Sequence, residues 1–384
     1  MQVILLGASG FIGRQTLEVI DKLGISLLGA SVGEHVEVIE DLVNHFHVSY
    51  ITIKNENDYL YFSKKYLNIK FFYKDEGLLE LVRIPEAQLV VNALVGFVGF
   101  LPSVEAIKND KILALANKES LVVGGEIILQ LLKEHPKAKL FPIDSEHVAI
   151  KKCLYGEDIS RVESITLTAS GGPFFNLDKV KFKDIKLEDA LKHPTWKMGK
   201  KITIDSSTMI NKAFEIIEAH YLFNLPKEKI KVKVDRTSYV HSFVTFLNGK
   251  VKLNIGDKDM RIPIEYALTL GKPTSKEGFK DVIIDDINNY HLLDMDHDKF
   301  PLIDLGYFII DKKGDSGAVL NAVNDVVTAE FLSGNIKYID IAKIIGKIMS
   351  CYQFRDKVTI EDIVDVNRKV RLASEYIIKK DYTK

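Results

Sequence analysis

The stretch "LLGASGFIG", residues 5–13, decides the fold of the first part of this chain. It places Gly7, Gly10 and Gly13 between a short apolar run and the helical pattern "RQTLEVIDKL". Glycines permit a tight strand-to-helix turn and a close approach of the backbone to a ligand. The following helix directs its unpaired N–H groups towards a pyrophosphate. This spacing after a first strand predicts a dinucleotide site; a tight turn without a ligand is the alternative.

Strand and helix patterns alternate over about the first 140 residues. Helical spacing of apolar residues occurs in "RQTLEVIDKL", "VEVIEDLVNHF" and "SVEAIKND". The runs predicted as strands are "QVILLGA", "SLLGASV", "SYITI", "IKFFY", "QLVVNALVG" and "KILALAN". This alternation predicts a doubly wound parallel sheet of the α/β class.

The remaining chain changes character twice. Longer strands are predicted at "VESITLTA", at "KITIDSS" and within "IKVKVDRTSYVHSFVTFLNGKVKLNIG", where "LNGK" indicates a hairpin. From about residue 300 the patterns become helical, as in "GAVLNAVNDVVTAEFLSG". We therefore predict a dinucleotide-binding domain at 1–142, a mixed α+β catalytic domain at 143–270, a linker at 271–300 and a small helical domain at 301–384.

Composition limits the partners of this chain. The 384 residues are 46% hydrophobic and 27% charged, which is typical of a globular protein. The formal net charge of -1 gives no long-range attraction to nucleic acid or to an anionic membrane. Cys153 and Cys351 have no metal-like or redox spacing. Since neither a signal peptide nor a membrane-spanning window is evident, we expect a cytoplasmic protein with no nucleic-acid or membrane partner.

The loop after the second strand bears on which dinucleotide is bound. It contains Gly33, Glu34 and His35. Glu34 lies about where an acid binds the ribose 2′-hydroxyl of NAD, whereas a 2′-phosphate prefers Arg or Lys, and this loop offers only His35. Glu34 could equally begin a helix, where acids are favourable. By themselves these residues favour NAD.

A second polar group follows the strand "KILALAN". Asn117, Lys118 and Glu119 come where ligands bind in open α/β sheets, beyond the carboxyl ends of the strands. A lysine there can anchor an anion. A solvated first turn of a helix is the alternative.

Three carboxylates predict a metal site. Asp144 and Glu146 lie in "FPIDSEHVAI", and in an extended segment both would project to the same side. Glu215 lies on a predicted helix whose other periodic residues are apolar. Three carboxylates form a hard, oxygen-rich site that suits Mg²⁺ or Mn²⁺. Each acid alone would more often be a solvated surface group.

Donors for an anion surround these acids. Ser170 begins the turn "SGG" after a strand, where the backbone can form an anion-binding nest, although a plain turn is the alternative. Ser206, Asn211 and Lys212 add a hydroxyl, an amide and an ammonium group. Together they could enclose a phosphate without a strongly basic surface.

The only tryptophan lies between these groups. Trp196, in "KHPTWKMGKKITID", is flanked by His193 and Gly199 in a polar loop. We predict a lid near 193–201 that closes over a substrate and excludes water; simple packing of the tryptophan is the alternative. His241 alternates with apolar residues and is predicted to be a core histidine.

These stretches together resemble the 1-deoxy-D-xylulose 5-phosphate reductoisomerase family. The resemblance covers essentially the whole chain, and its motifs are "GASGFIG", "ALANKESLV", "PIDSEHVAI", "LTASGGPF", "HPTWKMGKKITIDSSTMINKAFEIIEA" and "GDKDMRIPIEYAL". It implies a Rossmann-like first domain and a homodimeric enzyme that uses NADPH and Mg²⁺ or Mn²⁺, with Co²⁺ as a further candidate. Such enzymes rearrange 1-deoxy-D-xylulose 5-phosphate and reduce the product to 2-C-methyl-D-erythritol 4-phosphate, a step of isoprenoid precursor synthesis outside the mevalonate route.

The resemblance also implies roles for individual residues. Those implied as metal ligands are Asp144, Glu146 and Glu215, which together with Lys118 form the expected catalytic set. Those implied as substrate contacts are Lys118, Ser145, Glu146, Ser170, His193, Trp196, Ser206, Asn211, Lys212 and Glu215. Those expected to contact the cofactor are Gly7, Ser9, Gly10, Phe11, Ile12, Gly33, Glu34, His35, Asn117, Glu119 and Gly199.

The chain departs from the family pattern at several positions. Phe11 and Phe97 replace small residues, and Glu34 stands where a basic residue is common. Residues 235–238 read "DRTS" where the family has a stretch like "HPQS".

Two other functions share parts of the pattern. A homoserine or semialdehyde type of NAD(P)-dependent dehydrogenase would have the glycine turn without needing the three acids. A non-catalytic dinucleotide-sensing protein would not need to retain them.

Overall fold

The computed structural model describes residues 1–196, 198–272 and 291–382. The chain divides into two compact units. The first contains Met1–Ser120, Ile128–Val148 and the described residues of 259–272. The second contains Leu121–Ile127, Ala149–Lys258 and the described residues of 291–382.

Strands and helices alternate through the first half of the chain, and helices dominate its end. The strands are β1 Gln2–Leu6, β2 Ser26–Val32, β3 Tyr50–Ile53, β4 Lys70–Tyr73, β5 Leu89–Asn92, β6 Ile112–Leu115, β7 Lys139–Pro142, β8 Val162–Ala169, β9 Ile230–Asp235, β10 Val240–Phe246, β11 Val251–Ile255 and β12 Leu292–Leu293. The α-helices are α1 Phe11–Leu23, α2 Val38–Asn44, α3 Glu56–Lys65, α4 Lys74–Arg83, α5 Phe100–Lys108, α6 Glu119–Glu134, α7 Ser145–Cys153, α8 Leu187–Ala190, α9 Lys200–Ser207, α10 Ile210–Phe223, α11 Arg261–Leu268, α12 Asp304–Lys312, α13 Ser316–Leu332, α14 Tyr338–Cys351 and α15 Ile360–Asp381.

A parallel sheet organises the first unit. Its seven strands lie in the order β4-β3-β2-β1-β5-β6-β7, and every neighbouring pair is parallel. The central strands are buried on both faces, so they read as continuous apolar runs and not as alternating ones. The predicted doubly wound α/β fold is confirmed, and the strand order reverses beside β1, where the glycine turn begins.

The second unit contains a mixed sheet of five strands. Their order is β11-β10-β8-β9-β12, with β8 and β9 parallel and the other pairs antiparallel. The predicted "LNGK" hairpin is confirmed as the connection of β10 to β11, closed by a Phe246 N–H to Lys250 carbonyl bond of 2.9 Å. Strand β12 was not expected, because Leu292 and Leu293 lie in a stretch whose composition indicated a linker.

Helices predicted after residue 300 are confirmed. Helix α13 is buried along most of its length and packs against α14 and α15. Buried polar contacts connect α9 to these helices: Asn324 Nδ2 donates to Asp205 Oδ1 at 2.9 Å, and Tyr338 Oη donates to the Ser207 carbonyl at 2.7 Å. The helical end of the chain thus fixes the position of α9.

The strand predicted at "KITIDSS" is wrong, because this segment forms α9. Its Ile and Thr residues favour strands in isolation, but tertiary contacts override that preference. Thr203, Ile204 and Asp205 are buried, and Lys201 Nζ contacts Asp205 Oδ2 at 2.8 Å, one helical turn along. The buried face and this i,i+4 pair require a helix.

The domain boundaries predicted at 142, 270 and 300 stay predictions. Most of the predicted linker, 273–290, lies outside the described residues, as does Lys197 within the predicted lid.

Among the described residues, no helix combines the length and the apolar character needed to cross a bilayer.

One glycine of the opening motif is required by packing. A Cβ atom on Gly13 would lie 2.1 Å from the Gly7 carbonyl oxygen, which belongs to the backbone of the preceding turn. We expect Gly13→Ala to lower the free energy of unfolding by roughly 1–3 kcal/mol, because the turn must shift to admit the methyl group. Denaturant unfolding measures this loss.

A matched control lies in α14. A Cβ atom on Gly346 would meet no atom within 4 Å, and its φ is not in the left-handed region. Gly346→Ala should therefore stabilise the protein by roughly 0.5–1 kcal/mol. Equal effects of the two substitutions would contradict the steric argument.

Candidate active site

The glycine turn connects β1 to the first turn of α1. Gly7 has a φ of +85°, and its N–H donates to Ser31 Oγ at 2.8 Å. The Gly10 N–H donates to the Gly7 carbonyl at 3.0 Å, which closes the turn directly before Phe11. Ser9 Oγ accepts the Gly33 N–H at 3.3 Å. The turn is thereby tied to the end of β2, with the N-terminus of α1 beside it.

The loop after β2 has more cationic neighbours than the sequence indicated. Glu34 and His35 are exposed, and the Glu34 carboxylate lies 3.7 Å from Lys54 Nζ. Arg14, on α1, donates to the Ser9 carbonyl at 3.2 Å and to Glu37 Oε1 at 2.7 Å. Sequence inspection missed Arg14 and Lys54 because neither lies in the loop itself. A phosphate near this loop would meet both signs of charge.

Asn117 and Glu119 position the loop that follows β5. Asn117 Nδ2 donates to the carbonyls of Leu94 and Gly96, each at 2.9 Å. Glu119 Oε1 accepts the Gly96 N–H at 3.0 Å. Both side chains are buried, so they form a rigid edge to the first unit beyond the strand ends.

Asp144 is held at the N-terminus of α7, so the predicted extended conformation is wrong. Its Oδ1 accepts the Glu146 N–H at 3.2 Å, and its carbonyl accepts the Val148 N–H at 3.0 Å. An Asp followed by Ser and Glu is a favourable helix start, which explains the difference. Asp144 and Glu146 are still close in space because they belong to one turn.

Two basic side chains contact the Asp144 carboxylate. Lys118 Nζ lies 3.0 Å from Oδ2, and His147 Nδ1 lies 3.0 Å from Oδ1. Lys118 and Asp144 are each about one tenth exposed, and His147 is fully buried. The i,i+3 spacing of His147 from Asp144 could have identified this contact once a helix was assumed. Ser145 Oγ donates to Glu146 Oε2 at 2.6 Å.

His193 connects two serines in the second unit. Its Nε2 lies 3.1 Å from both Ser170 Oγ and Ser206 Oγ. Its Nδ1 accepts the Thr195 and Trp196 N–H groups at 3.3 and 2.9 Å, which places the ring proton on Nε2. Burial, and then the positive charge of Arg236, lowers the pKa of His193 to about 4. The imidazole is therefore neutral at physiological pH.

The predicted acid of α10 is deeply buried. Glu215 is 2% exposed and forms an ion pair with Lys212. Asn211 Nδ2 donates to Glu215 Oε1 at 2.5 Å, and Lys212 also donates to the Thr168 carbonyl in β8. The helix therefore places an amide, an ammonium group and a carboxylate together.

The turn after β8 is fixed by an arginine that the sequence did not identify. Gly171 and Gly172 both have positive φ, +75° and +65°, as a backbone nest requires. Ser170 Oγ accepts the Gly172 N–H at 3.2 Å. Arg236 Nη1 donates to the carbonyls of Ser170 and Gly172. No local sequence pattern predicts this contact, because Arg236 is more than 60 residues from the Ser170–Gly172 turn.

The rings of Trp196 and His241 lie near each other in the second unit. Their ring centroids are 6.5 Å apart, and Trp196 is half-buried. His241 is 9% exposed, and its Nε2 lies 3.2 Å from the Asp257 carbonyl oxygen, as a core histidine requires. Gly199 is exposed, directly before α9. The lid predicted at 193–201 stays a prediction.

The predicted residues thus fall into two groups. The structure places these in the first unit: Gly7, Ser9, Gly10, Phe11, Ile12, Gly33, Glu34, His35, Asn117, Lys118, Glu119, Asp144, Ser145 and Glu146. It places these in the second: Ser170, His193, Trp196, Gly199, Ser206, Asn211, Lys212 and Glu215. Within the second unit, His193 connects two of the predicted anion donors directly.

Family profiles match nearly the whole chain. Residues 3–125 match the profile described as 1-deoxy-D-xylulose 5-phosphate reductoisomerase. Residues 140–223 and 255–373 match two profiles for C-terminal domains of the same enzyme.

Curated relatives and solved structures agree with these profiles. The 1-deoxy-D-xylulose 5-phosphate reductoisomerase of Clostridium kluyveri is 37% identical over 381 residues, covering 96% of this chain and 97% of its own. The Geobacillus enzyme is 38% identical over 372 residues, with the same coverage. The Zymomonas mobilis enzyme in complex with NADPH superposes with a TM-score of 0.90 at 30% identity, covering 99% of both chains.

A further solved structure contains two small molecules and a metal ion. It is a DOX-P reductoisomerase in complex with NADPH, fosmidomycin and magnesium, with a TM-score of 0.91 and 30% identity over 99% of both chains. Profiles, identity and fold agree over the full length. This chain belongs to the 1-deoxy-D-xylulose 5-phosphate reductoisomerase family.

Proposed function

We propose that the predicted site residues of this chain carry out the reaction of its family. The chain converts 1-deoxy-D-xylulose 5-phosphate to 2-C-methyl-D-erythritol 4-phosphate with NADPH and a divalent metal ion. The observation that carries this conclusion is identity of 37% over 96% of the chain to a relative of that name. We then assign the metal, substrate and cofactor contacts to individual side chains from their chemistry and burial.

The metal ion is assigned to Asp144, Glu146 and Glu215. All three offer carboxylate oxygens, the ligands that Mg²⁺ and Mn²⁺ prefer. None of them is exposed: Glu215 is 2% and Asp144 11% accessible, and Glu146 is half-buried. These residues would hold the ion, which when bound would supply Lewis-acid polarisation of substrate oxygens. Buried carboxylates fit such an ion, because burial raises the need for a compensating cation.

The substrate phosphate is assigned to the second unit. Ser170, Ser206, Asn211 and Lys212 supply donors, and His193 holds the two serine hydroxyls in place. Binding energy from the phosphate, which does not react, orients the reacting end of the substrate. Lys118 and Ser145 are assigned to that reacting end, and Trp196 to the lid that excludes water.

The cofactor is assigned to the first unit. The turn of Gly7, Ser9 and Gly10 and the first residues of α1, Phe11 and Ile12, would hold its pyrophosphate, because N–H groups and the helix dipole attract anions there. The loop 33–35 is assigned to the adenosine ribose. Further contacts are assigned to Asn117, Glu119 and Gly199. These residues bind and orient the nicotinamide, which supplies the hydride.

The two other functions make different demands. A dehydrogenase of the homoserine or semialdehyde type would not need the acids of α7 and α10. A dinucleotide-sensing protein would bind NADPH without turnover. Two features support the enzyme: all three acids are retained, and the anion donors are intact beside Glu215.

A homodimer and a cytoplasmic location are also proposed. Strand β11 ends the sheet order of the second unit, and the side chains of Val251 and Leu253 on it are 54% and 41% exposed. An exposed apolar edge strand favours pairing with another chain. A second copy of this chain is the partner that the resemblance implies.

Removing the carboxylate of α10 should remove metal-dependent turnover. We expect Glu215→Gln to lower kcat/KM at least about 100-fold, because metal polarisation contributes several kcal/mol and about 1.4 kcal/mol is tenfold. NADPH oxidation with 1-deoxy-D-xylulose 5-phosphate measures this, with and without chelator. NADPH affinity should be unchanged in the variant.

Glu163→Gln is the matched control for that experiment. Glu163 is exposed on β8, so the substitution changes the same charge away from the site. Its activity should match that of the unaltered chain. Turnover that persists in chelator, or in Glu215→Gln at any Mg²⁺ concentration, would refute the metal assignment.

The neutral state of His193 can be observed directly. We expect its imidazole resonances to titrate with a pKa of about 4 in the unliganded chain. Because the folded-state pKa lies below the ordinary value of 6.5, the unfolded chain binds more protons between these values. The stability contribution is therefore lost as pH falls from about 6.5 towards 4, and His193→Asn should flatten that slope. A pKa of 6.5 or above would contradict the buried, neutral assignment.

The oligomeric state tests whether the exposed edge strand β11 pairs with a second copy of this chain. We expect light scattering to give twice the 43.4 kDa chain mass. Leu253→Lys, which places a charge on the exposed edge, should shift the equilibrium towards the single chain. Lys substitution at exposed Tyr376 on α15 is the control and should leave the dimer intact. A single-chain mass at every concentration would end the proposal.

A further inference from the structure

Arg236 lies at the centre of the chain's departure from the family pattern. It follows β9 in the stretch "DRTS", and its Nη1 donates to the carbonyl oxygens of Ser170 and Gly172, the latter at 2.8 Å. Its guanidinium carbon lies 5.5 Å from the centroid of the Phe175 ring. The guanidinium thus contacts both ends of the Ser-Gly-Gly turn and an aromatic ring just beyond it.

This contact fixes a turn that would otherwise be adaptable. Gly171 and Gly172 have positive φ, and glycine has more backbone freedom to lose than any other residue. One guanidinium nitrogen bound to the carbonyls on either side of Gly171 restricts both glycines. The same turn holds Ser170 Oγ between the Gly172 N–H, at 3.2 Å, and His193 Nε2, at 3.1 Å.

The turn that carries Arg236 is itself rigid. The Asp235 carboxylate is 1% exposed and accepts the Thr237 and Val240 N–H groups, each at 2.8 Å. Ser238 Oγ lies 2.9 Å from Thr195 Oγ1, which connects this turn to the segment that carries His193. The backbone around Arg236 is therefore held by the Asp235 carboxylate and by the contact of Ser238 with Thr195.

The charge of Arg236 is also unbalanced. Within the described ranges, no carboxylate forms an ion pair with it, whereas the Lys212 ammonium is paired with Glu215. Its positive charge already acts at His193, whose pKa is lowered first by burial and then by Arg236. A dianionic phosphate bound at Ser170 and His193 would supply the missing negative charge.

We infer that Arg236 is a positioning residue for the substrate phosphate: it fixes the Ser170–Gly172 turn and supplies the net positive charge of that pocket. This inference builds on the proposed function, since it concerns the same site. It assigns a role to a residue that lies between the two matched C-terminal profile ranges, 140–223 and 255–373. Such a residue should affect binding of the phosphate more than the chemical step.

Kinetics of two variants test the inference. Arg236→Met, which removes the charge and the clamp, should raise KM for 1-deoxy-D-xylulose 5-phosphate about 10- to 100-fold, with kcat changed less than about threefold. Arg236→Lys should recover part of the loss, because the ammonium keeps the charge but lacks the planar guanidinium that lies over the Phe175 ring. NADPH affinity should be unchanged in both. Arg368→Met, at an exposed position of α15, is the control.

Binding of inorganic phosphate separates this inference from the proposed function. Calorimetric titration of the full chain with NADPH and inorganic phosphate requires no turnover. The affinity should fall about 10-fold or more in Arg236→Met and stay constant in Arg368→Met. Failure of the unaltered chain to turn over the substrate would refute the proposed function while leaving this titration decisive.

Two results would overturn the inference. One is an unchanged KM and phosphate affinity in a folded Arg236→Met chain. The other is an equal loss of kcat, NADPH affinity and thermal stability, which indicates a purely structural role. If Arg236→Met does not fold, the Arg236→Lys chain decides: phosphate affinity and KM equal to those of the unaltered chain would overturn the clamp by the guanidinium group, and a tenfold loss of both supports it.

Discussion

A carboxylate buried within α10 is the constraint on which the second unit depends. An unpaired charge at the position of Glu215 would cost several kcal/mol. Lys212 and Asn211, on the same helix, contact its two oxygens, and Lys212 is anchored in turn to the Thr168 carbonyl at the end of β8. The helix and the strand are therefore fixed relative to each other by one charge. A carboxylate already desolvated and aligned in this way is suited to a metal ion.

The first unit repeats this arrangement with different elements. Asp144 is nearly buried at the start of α7 and is paired with Lys118 from the end of β6. In both units, an acid assigned to the metal ion is paired with a lysine assigned to the substrate. Each lysine stabilises the acid without a metal and then carries a charge suited to substrate oxygens. Each of these acids is therefore balanced by a lysine within its own unit, which agrees with a formal net charge of -1.

The sequence predicted the fold better than it predicted the polar contacts. Alternating periodicity identified the parallel sheet because its strands are buried on both faces and read as apolar runs. The segment "KITIDSS" failed, since its β-branched residues carry a local preference that burial against α13 overrides. The sequence predicted an extended segment for Asp144 and Glu146, but Asp144 lies directly before α7 and Glu146 lies in its first turn. His147 and Arg236 were missed because their partners are set by a helix start and by a distant turn.

The two basic groups beside Ser170 have different roles in the proposed phosphate site. His193 is neutral, so it can align two hydroxyl groups by hydrogen bonding without adding charge of its own. Arg236 keeps its charge at physiological pH and donates to two carbonyl oxygens of the turn. A charged His193 would repel Arg236, so the low pKa of the histidine follows from the presence of the arginine as well as from burial. Profile matches identify the family, but Arg236, which we infer to set the electrostatics of the proposed phosphate site, lies between the two matched C-terminal ranges, 140–223 and 255–373.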